Sequence, residues 1–307
     1  MRNKSLISIH DITREQYDQV LSLAEKFEKN PKQDVLKKWV IATLFFEPST
    51  RTRLSFESAA NQLGARVIGF SDAATSSVKK GESLKDTILT VSNYSDLIVM
   101  RHPKEGSARY ASEVSPVPII NAGDGANQHP TQCLLDLYSI KKTQKKLDNL
   151  EVAFVGDLKY GRTVHSLVEA LTNYKTTFHL VSPVELKLPS SVKQYIKDRK
   201  LKYYQYTEME DVIPKVDILY MTRIQRERFA DPLEYERVKG AYILRNSMLE
   251  GSKKNLRILH PLPRVNEITE DVDANPKAYY FQQARNGVYV RQALLTLILG
   301  EESKVKS

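Results

Sequence analysis

One cysteine, Cys133, in 307 residues rules out an intrachain disulfide and any zinc site built from several of the chain's own cysteines. Such sparing use suits a reducing compartment. No apolar run approaches the roughly 20 residues that span a bilayer, and the opening M-R-N-K-S-L-I-S-I-H lacks the apolar stretch of a signal peptide. A cytoplasmic protein with no membrane segment is therefore expected. No glycine-rich segment ends in Gly-Lys-Ser/Thr, which excludes a Walker A loop. The G-x-G-x-x-G spacing is missing too. In V-G-D-L-K-Y-G-R-T, Gly156 and Gly161 stand too far apart for a tight pyrophosphate turn, so NAD is not expected. Internal repeats and low-complexity tracts are also lacking.

Basic charge is plentiful: 46 Lys and Arg against 37 Asp and Glu give a net charge of +9 and a pI near 9.3. Clustered cations raise the possibility of nucleic acid. However, Lys141, Lys142, Lys145 and Lys146 surround a helix end, where a solvated basic face is the usual explanation, and no zinc-finger or RNA-recognition signature accompanies them. Tyr203, Tyr204 and Tyr206 read as a strand. Positive charge equally suits an enzyme of anionic small molecules, and that reading, without nucleic acid, is preferred.

Length and an ordinary balance of 41% hydrophobic and 27% charged residues leave room for two domains. After a helical segment at Thr13–Lys29, strands are expected at Ile41–Phe46, Arg66–Phe70, Leu97–Met100 and Val117–Asn121, with a helix over Ser83–Tyr94. A helix from Pro130 to about Lys142 leads into a second alternating set. There the strands are Val152–Gly156, Thr177–Val181, Lys202–Tyr206 and Asp217–Met221, with a helix over Arg162–Asn173 and a last one over Val288–Leu299. The alternation predicts an α/β protein of two domains, each a parallel sheet flanked by helices. Asp72–Gly81, small and polar, is expected to be a loop.

Phe45 to Arg53 reads F-F-E-P-S-T-R-T-R and joins a strand to a helix. Phe56, Ala59, Ala60 and Leu63 form one helical stripe, and Gly64 follows at the stop position. Ser49 is then the N-cap. Thr50, Arg51 and Thr52 occupy the first turn, where unbonded N–H groups and the helix dipole favour a phosphate-like dianion. Arg101, Arg223 and His260 each follow a predicted strand, at the carboxyl ends where parallel sheets place their sites. In His129-Pro130-Thr131-Gln132 the proline suits the first helical position. A histidine at that helix end is expected to be neutral and to donate to a carbonyl oxygen, while Gln132 offers an amide. In His260-Pro261-Leu262-Pro263-Arg264 the prolines stiffen a turn and leave backbone carbonyls as acceptors.

The string F-x-E-x-S-x-R-T, together with S-V-K-K-G-E-S, M-R-H-P-x-E-G, H-P-T-Q, V-G-D-L-K-Y-G-R-T-V-H-S and H-P-L-P-R-V, resembles the aspartate and ornithine carbamoyltransferases. The likeness runs through nearly the whole chain and is strongest to the aspartate carbamoyltransferase catalytic chains. It implies transfer of a carbamoyl group from carbamoyl phosphate to aspartate, an early step of pyrimidine biosynthesis, with no metal or organic cofactor. By the same resemblance, residues 1–131 with 286–307 bind carbamoyl phosphate and 132–285 bind aspartate. Ser49, Thr50, Arg51, Thr52 and Arg101 hold the phosphate. Thr52, Arg101 and His129 polarise the carbonyl, and Gln132 with the carbonyls of Pro261 and Leu262 receives the carbamoyl NH2. The Leu262-Pro263 bond would be cis. Arg162, Arg223 and Gln225 take the aspartate carboxylates. From the neighbouring subunit of a homotrimer Ser76 reaches carbamoyl phosphate and Lys80 reaches both ligands, and Glu47 pairs with Arg162 and Arg228 on domain closure. Relatives often join a zinc-containing, nucleotide-binding regulatory chain. Glu105, Arg109, Lys159, Tyr160 and Glu234 lie in segments that serve subunit contacts in such relatives. Aspartate is favoured over ornithine because guanidinium groups suit a dicarboxylate. The chain also has His260-Pro261 in place of His-Cys-Leu-Pro, and it lacks a Ser-Met-Gly signature.

Overall fold

The computed structural model describes residues 1–72, 77–224, 226, 229 and 231–306. The chain divides into two compact units, Met1–Tyr138 with Arg285–Ser307, and Ser139–Ala284.

In the first unit strands β1 (Val40–Phe45), β2 (Arg66–Phe70), β3 (Leu97–His102) and β4 (Ile119–Asp124) form a parallel sheet in the order β2-β1-β3-β4. Helices α1 (Arg14–Lys29), α2 (Thr50–Gln62), α3 (Leu84–Ser92), α4 (Ser107–Val114) and the start of α5 (Pro130–Gln144) accompany it. Parallel pairing requires such crossovers and buries the inner strands on both faces, which is why L-I-V-M of β3 is a buried run and not an alternating one, while β4, at one edge, is buried as well and is bridged on its outer side by Leu6. The edge strand β2 is largely exposed. Local sequence sets the helix ends. Thr13 and Gln16 form a capping box before α1, and the Ser83 hydroxyl accepts from the Asp86 N–H at the start of α3. The α2 stripe of Phe56, Ala59, Ala60 and Leu63 is fully buried, and Gly64 turns the chain away at φ 76°. A fully buried Phe contributes roughly 1.5–3 kcal/mol. Ile7, Ala42, Leu44, Ile88, Ile98 and Met100 fill one core layer.

The second unit repeats the plan with β5 (Leu150–Val155), α6 (Arg162–Leu171), β6 (Thr176–Val181), α7 (Ser190–Asp198), β7 (Tyr203–Tyr206), β8 (Ile218–Met221), α8 (Pro232–Val238) and β9 (Arg257–Leu259). Its sheet is parallel, in the order β7-β6-β5-β8-β9. Val155, Met221, Leu244, Ile258 and Val272 lie in its core. The last helix, α9 (Tyr280–Leu299), begins well before the expected Val288 and returns the chain to the first unit. The polar segment ending at Gly81 is not all loop, because Ser77–Lys80 is a short 3-10 turn. Among the described residues no helix is long and apolar enough to cross a membrane.

Candidate active site

In both sheets strand order reverses direction at one point, between β1 and β3 and again between β5 and β8. The loops that leave adjacent strands there diverge and open a crevice at their carboxyl ends. Ser49–Thr52, Arg162 and Arg223 follow β1, β5 and β8, and Arg101 is the penultimate residue of β3.

At the first switch point Ser49 is the N-cap of α2, with φ −155° and ψ 91°, but its hydroxyl makes no capping bond and the first turn carries no acidic side chain. The N–H groups of that turn and the positive end of the dipole thus face outward unopposed. Thr52 is buried, whereas Thr50 and Arg51 are exposed. The Arg51 guanidinium has a lowered pKa, first through partial desolvation and then through the positive charge of Arg101. Two cations held this close favour an anion. In this structure the balancing charge is Glu47, whose Oε1 lies 2.7 Å from Arg101 Nη2.

A bulge aims Arg101. Met100 and His102 of β3 pair with Asn121 and Asp124 of β4, so the register shifts beside Arg101, and Gly123 accommodates it at φ 117°. His102, next in line, accepts at Nδ1 from the Lys104 N–H and lies 2.9 Å from the Ser107 hydroxyl. Its pKa is lowered, mainly by burial. The segment that delivers His129 is organised by the fully buried Asp124. This carboxylate accepts from the Gly106 and Gln128 N–H groups and from the Asn121 and Asn127 amides. His129 is buried directly before α5, its carbonyl accepting from the Gln132 and Cys133 N–H groups. Gln132 is buried as well, and its Nε2 donates to Asp136 at 2.9 Å.

In the second unit Arg162 is the first residue of α6, half-buried, on a loop built around Asp157. The buried Asp157 carboxylate accepts from the Lys159 and Tyr160 N–H groups, and its own N–H donates to the Thr222 hydroxyl after β8. A side chain at Gly156, φ 116°, would meet the Thr222 carbonyl oxygen at 2.5 Å. The two loops can pack this closely only because that residue is glycine. Half-buried Arg223 lines a cavity of about 90 Å³ with Gly156, Tyr242 and Glu267.

The 260–264 turn is not a loose surface loop. His260 is buried, its Nδ1 accepts from the Leu262 N–H at 2.8 Å, and its Nε2 lies 2.7 Å from Glu267 Oε1. The other Glu267 oxygen accepts from the Val265 and Asn266 N–H groups. Gln283 of α9 accepts from the His260 N–H. The Leu262-Pro263 bond is cis, and Pro261 and Leu262 are half-buried.

The first unit thus brings Ser49, Thr50, Arg51, Thr52, Arg101, His129, Gln132 and Glu47 to its sheet's carboxyl end or the start of α5. The second carries Arg162, Arg223, Pro261 and Leu262. Lys80 is exposed at the end of its 3-10 turn. Ser76, Gln225 and Arg228 lie outside the described residues. The roles of Asp124, Glu267 and Asp136 were not anticipated from sequence. Their only signal was an acid inside or just after a motif otherwise rich in glycine, proline or amide.

Helix termini and arginines at the switch points of two open parallel sheets define a protein that binds anionic small molecules. A model of the aspartate/ornithine carbamoyltransferase carbamoyl-P binding domain matches residues 4–142, and one of the Asp/Orn binding domain matches 148–298. The chain belongs to the aspartate/ornithine carbamoyltransferase family. It is 64% identical over 301 residues to the aspartate carbamoyltransferase catalytic subunit of Phocaeicola vulgatus, covering 98% of this chain and 96% of that one. The catalytic subunit of M. jannaschii aspartate transcarbamoylase superposes with a TM-score of 0.90 at 51% identity, covering 97% of this chain and 98% of that one. Aspartate transcarbamoylase from Trypanosoma cruzi, in complex with carbamoyl phosphate and aspartate, gives a TM-score of 0.93 at 35% identity, with 97% of each chain covered.

Proposed function

We propose that the protein transfers the carbamoyl group of carbamoyl phosphate to the α-amino group of L-aspartate, giving N-carbamoyl-L-aspartate and phosphate. The observation that carries this reading is the Arg51–Arg101 pair set against the uncapped N-terminus of α2. That arrangement fits a phosphate dianion. In the reaction the amine nitrogen bonds to the carbamoyl carbon and negative charge gathers on the carbonyl oxygen. The carbon–oxygen bond to phosphate then breaks, and the departing phosphate takes the amine proton. Thr52, Arg101 and His129 donate to the developing oxyanion, each worth about 2.7–4 kcal/mol of barrier. Gln132 and the carbonyls of Pro261 and Leu262 receive the carbamoyl NH2. No step calls for a metal or an organic cofactor.

Arg162 and Arg223, with Gln225, are assigned to the aspartate carboxylates, which guanidinium forks bind in bidentate fashion. This favours aspartate over ornithine, as does the complex of the T. cruzi relative with aspartate. The same reading makes the active assembly a cytoplasmic homotrimer in which Ser76 and Lys80 of one subunit serve its neighbour, and it places the reaction early in pyrimidine biosynthesis. A zinc-containing regulatory chain is a further candidate partner. Purified protein supplied with carbamoyl phosphate and either aspartate or ornithine, with phosphate release followed, is the direct test. Turnover with aspartate alone is expected. Preference for ornithine, or none with either, overturns the assignment.

A further inference from the structure

Behind Gln132 the first unit buries a charged pair. Asp136, one helical turn along α5, is fully buried, and so is Thr131. Arg291 of α9 is buried too, with its guanidinium 4.9 Å from the Phe56 ring centre and its Nη2 donating to the Thr131 hydroxyl at 3.4 Å. A β-carbon at Gly287 would stand 2.2 Å from Arg291 Nη1, so the helix leaves room for this side chain by carrying no side chain of its own there. Burial pushes the Arg291 pKa down to about 10, with Asp136 acting against that fall, so the guanidinium stays charged at neutral pH. A carboxylate buried alone tends to take up a proton. The negative charge that acts on Arg291 is that of the Asp136 carboxylate, and an ionised carboxylate is an acceptor only.

The geometry points to Asp136, backed by Arg291, as the positioning residue that fixes which way round the Gln132 amide faces. Because Asp136 accepts from Gln132 Nε2 at 2.9 Å, the amide oxygen is turned away from it as the outward-facing group. An outward oxygen accepts from a carbamoyl NH2. An outward NH2 would set donor against donor. The pair behind the helix thereby selects carbamoyl phosphate over an acyl phosphate of the same shape with a methyl group in place of NH2. This rests on the assignment of Gln132 to the carbamoyl NH2.

The test compares kcat/KM for carbamoyl phosphate and acetyl phosphate, both with aspartate, in the whole enzyme. General loss of structure lowers both substrates together, whereas loss of amide orientation lowers their ratio. Asp136→Asn is combined with Arg291→Met so that no lone cation stays buried. This double variant should reduce the preference for carbamoyl phosphate about tenfold, the worth of one misdirected hydrogen bond. Gln132→Met should reduce it too, and adding the double change to Gln132→Met should reduce it no further. If Gln132→Met leaves the preference intact, the substrate assignment of Gln132 fails. If Gln132→Met lowers it and the Asp136/Arg291 change does not, the positioning role fails. A second measurement needs no altered interior. In unaltered enzyme labelled with 15N-glutamine, the Gln132 NH2 signal, identified by its loss in Gln132→Met, should show one proton displaced downfield and slow to exchange. Two equivalent, freely exchanging protons would overturn the proposal.

Discussion

Replacing Glu267 by Gln tests how the 260–264 turn is held. The neutral His260 ring accepts at Nδ1 from the Leu262 N–H, so its proton sits on Nε2 and is donated to Glu267 across 2.7 Å. Glutamine keeps an oxygen for the Val265 and Asn266 N–H groups, which lie 3.0 and 3.1 Å from Oε2. It then turns an NH2 toward the Nε2 proton. The ring must shift its proton to Nδ1 and lose Leu262, or leave two donors opposed. A charge-assisted bond contributes about 1.5–3 kcal/mol, and its replacement by a clash places the loss near 3 kcal/mol. For a unit of this size that lowers Tm by about 6–12 °C. Since Leu262 is displaced, kcat/KM for carbamoyl phosphate should fall roughly tenfold as well. The pH profile carries an independent mark. Burial holds the His260 pKa below 6.5, against the raising influence of Glu267, so its share of stability is full above pH 6.5 and declines as the pH falls from there toward the folded value. Burial alone would raise the Glu267 pKa, but the bond from His260 and the backbone donors bring it below 4.5. Its contribution is present above pH 4.5 and lost as the pH drops through the folded value. In the Gln variant the second of these declines should vanish. A Tm within about 2 °C of the parent and an unchanged acid limb, measured by thermal melts from pH 3 to 8 in the same buffer series, would refute the account.

Arg101→Ala should lower kcat by at least about 10² while the protein stays folded, because a cleft cation and not a core side chain is removed; near-normal turnover would sink its assigned role. Glu47→Gln removes the charge that balances Arg101 across 2.7 Å, so inorganic phosphate should bind roughly two- to fivefold more tightly by calorimetry, and weaker binding would count against the pairing. Mixing inactive Arg51→Ala and Lys80→Ala proteins under subunit exchange should restore roughly one quarter of normal activity if sites are shared in a cyclic trimer. Recovery no greater than the sum of the parents, after verified exchange, would assign Lys80 to its own chain or to no site.

The elements that periodicity reveals well are those whose buried faces are apolar. The α2 stripe and the run Leu97–Met100 fall where the sequence places them. Helix α9 starts earlier than its apolar repeat suggests because its first turns bury polar groups: Gln283 is occupied by the His260 N–H, and Asn286, three residues on, is buried as well, with Gly287 next. Helix α4 escaped notice because its buried face is made of Ala108 and Ala111, too small to stand out in a hydropathy pattern, and its N-cap is Gly106 at φ 77°. The candidate site is legible where arginine, histidine and proline sit at motif spacing. The acids that orient them are not, since a buried carboxylate and a solvated one look alike in sequence. Only the fold shows that Asp136 faces Gln132 and that a bulge turns the chain at Arg101.

The first unit is closed by the chain's last helix, with Leu294, Leu295 and Ile298 fully buried and Arg291 against Phe56 of α2. During synthesis residues 1–138 therefore leave the ribosome without the piece that completes their core, and wait for 169 further residues, 307 less 138. At about 5–20 residues per second the delay is roughly 8–34 s. The second unit, continuous from Ser139 to Ala284, has no such wait and finishes first, so the part of the chain made earlier matures later. A released fragment ending near residue 285 should present a protease-resistant second unit behind a first unit that is still open to cleavage.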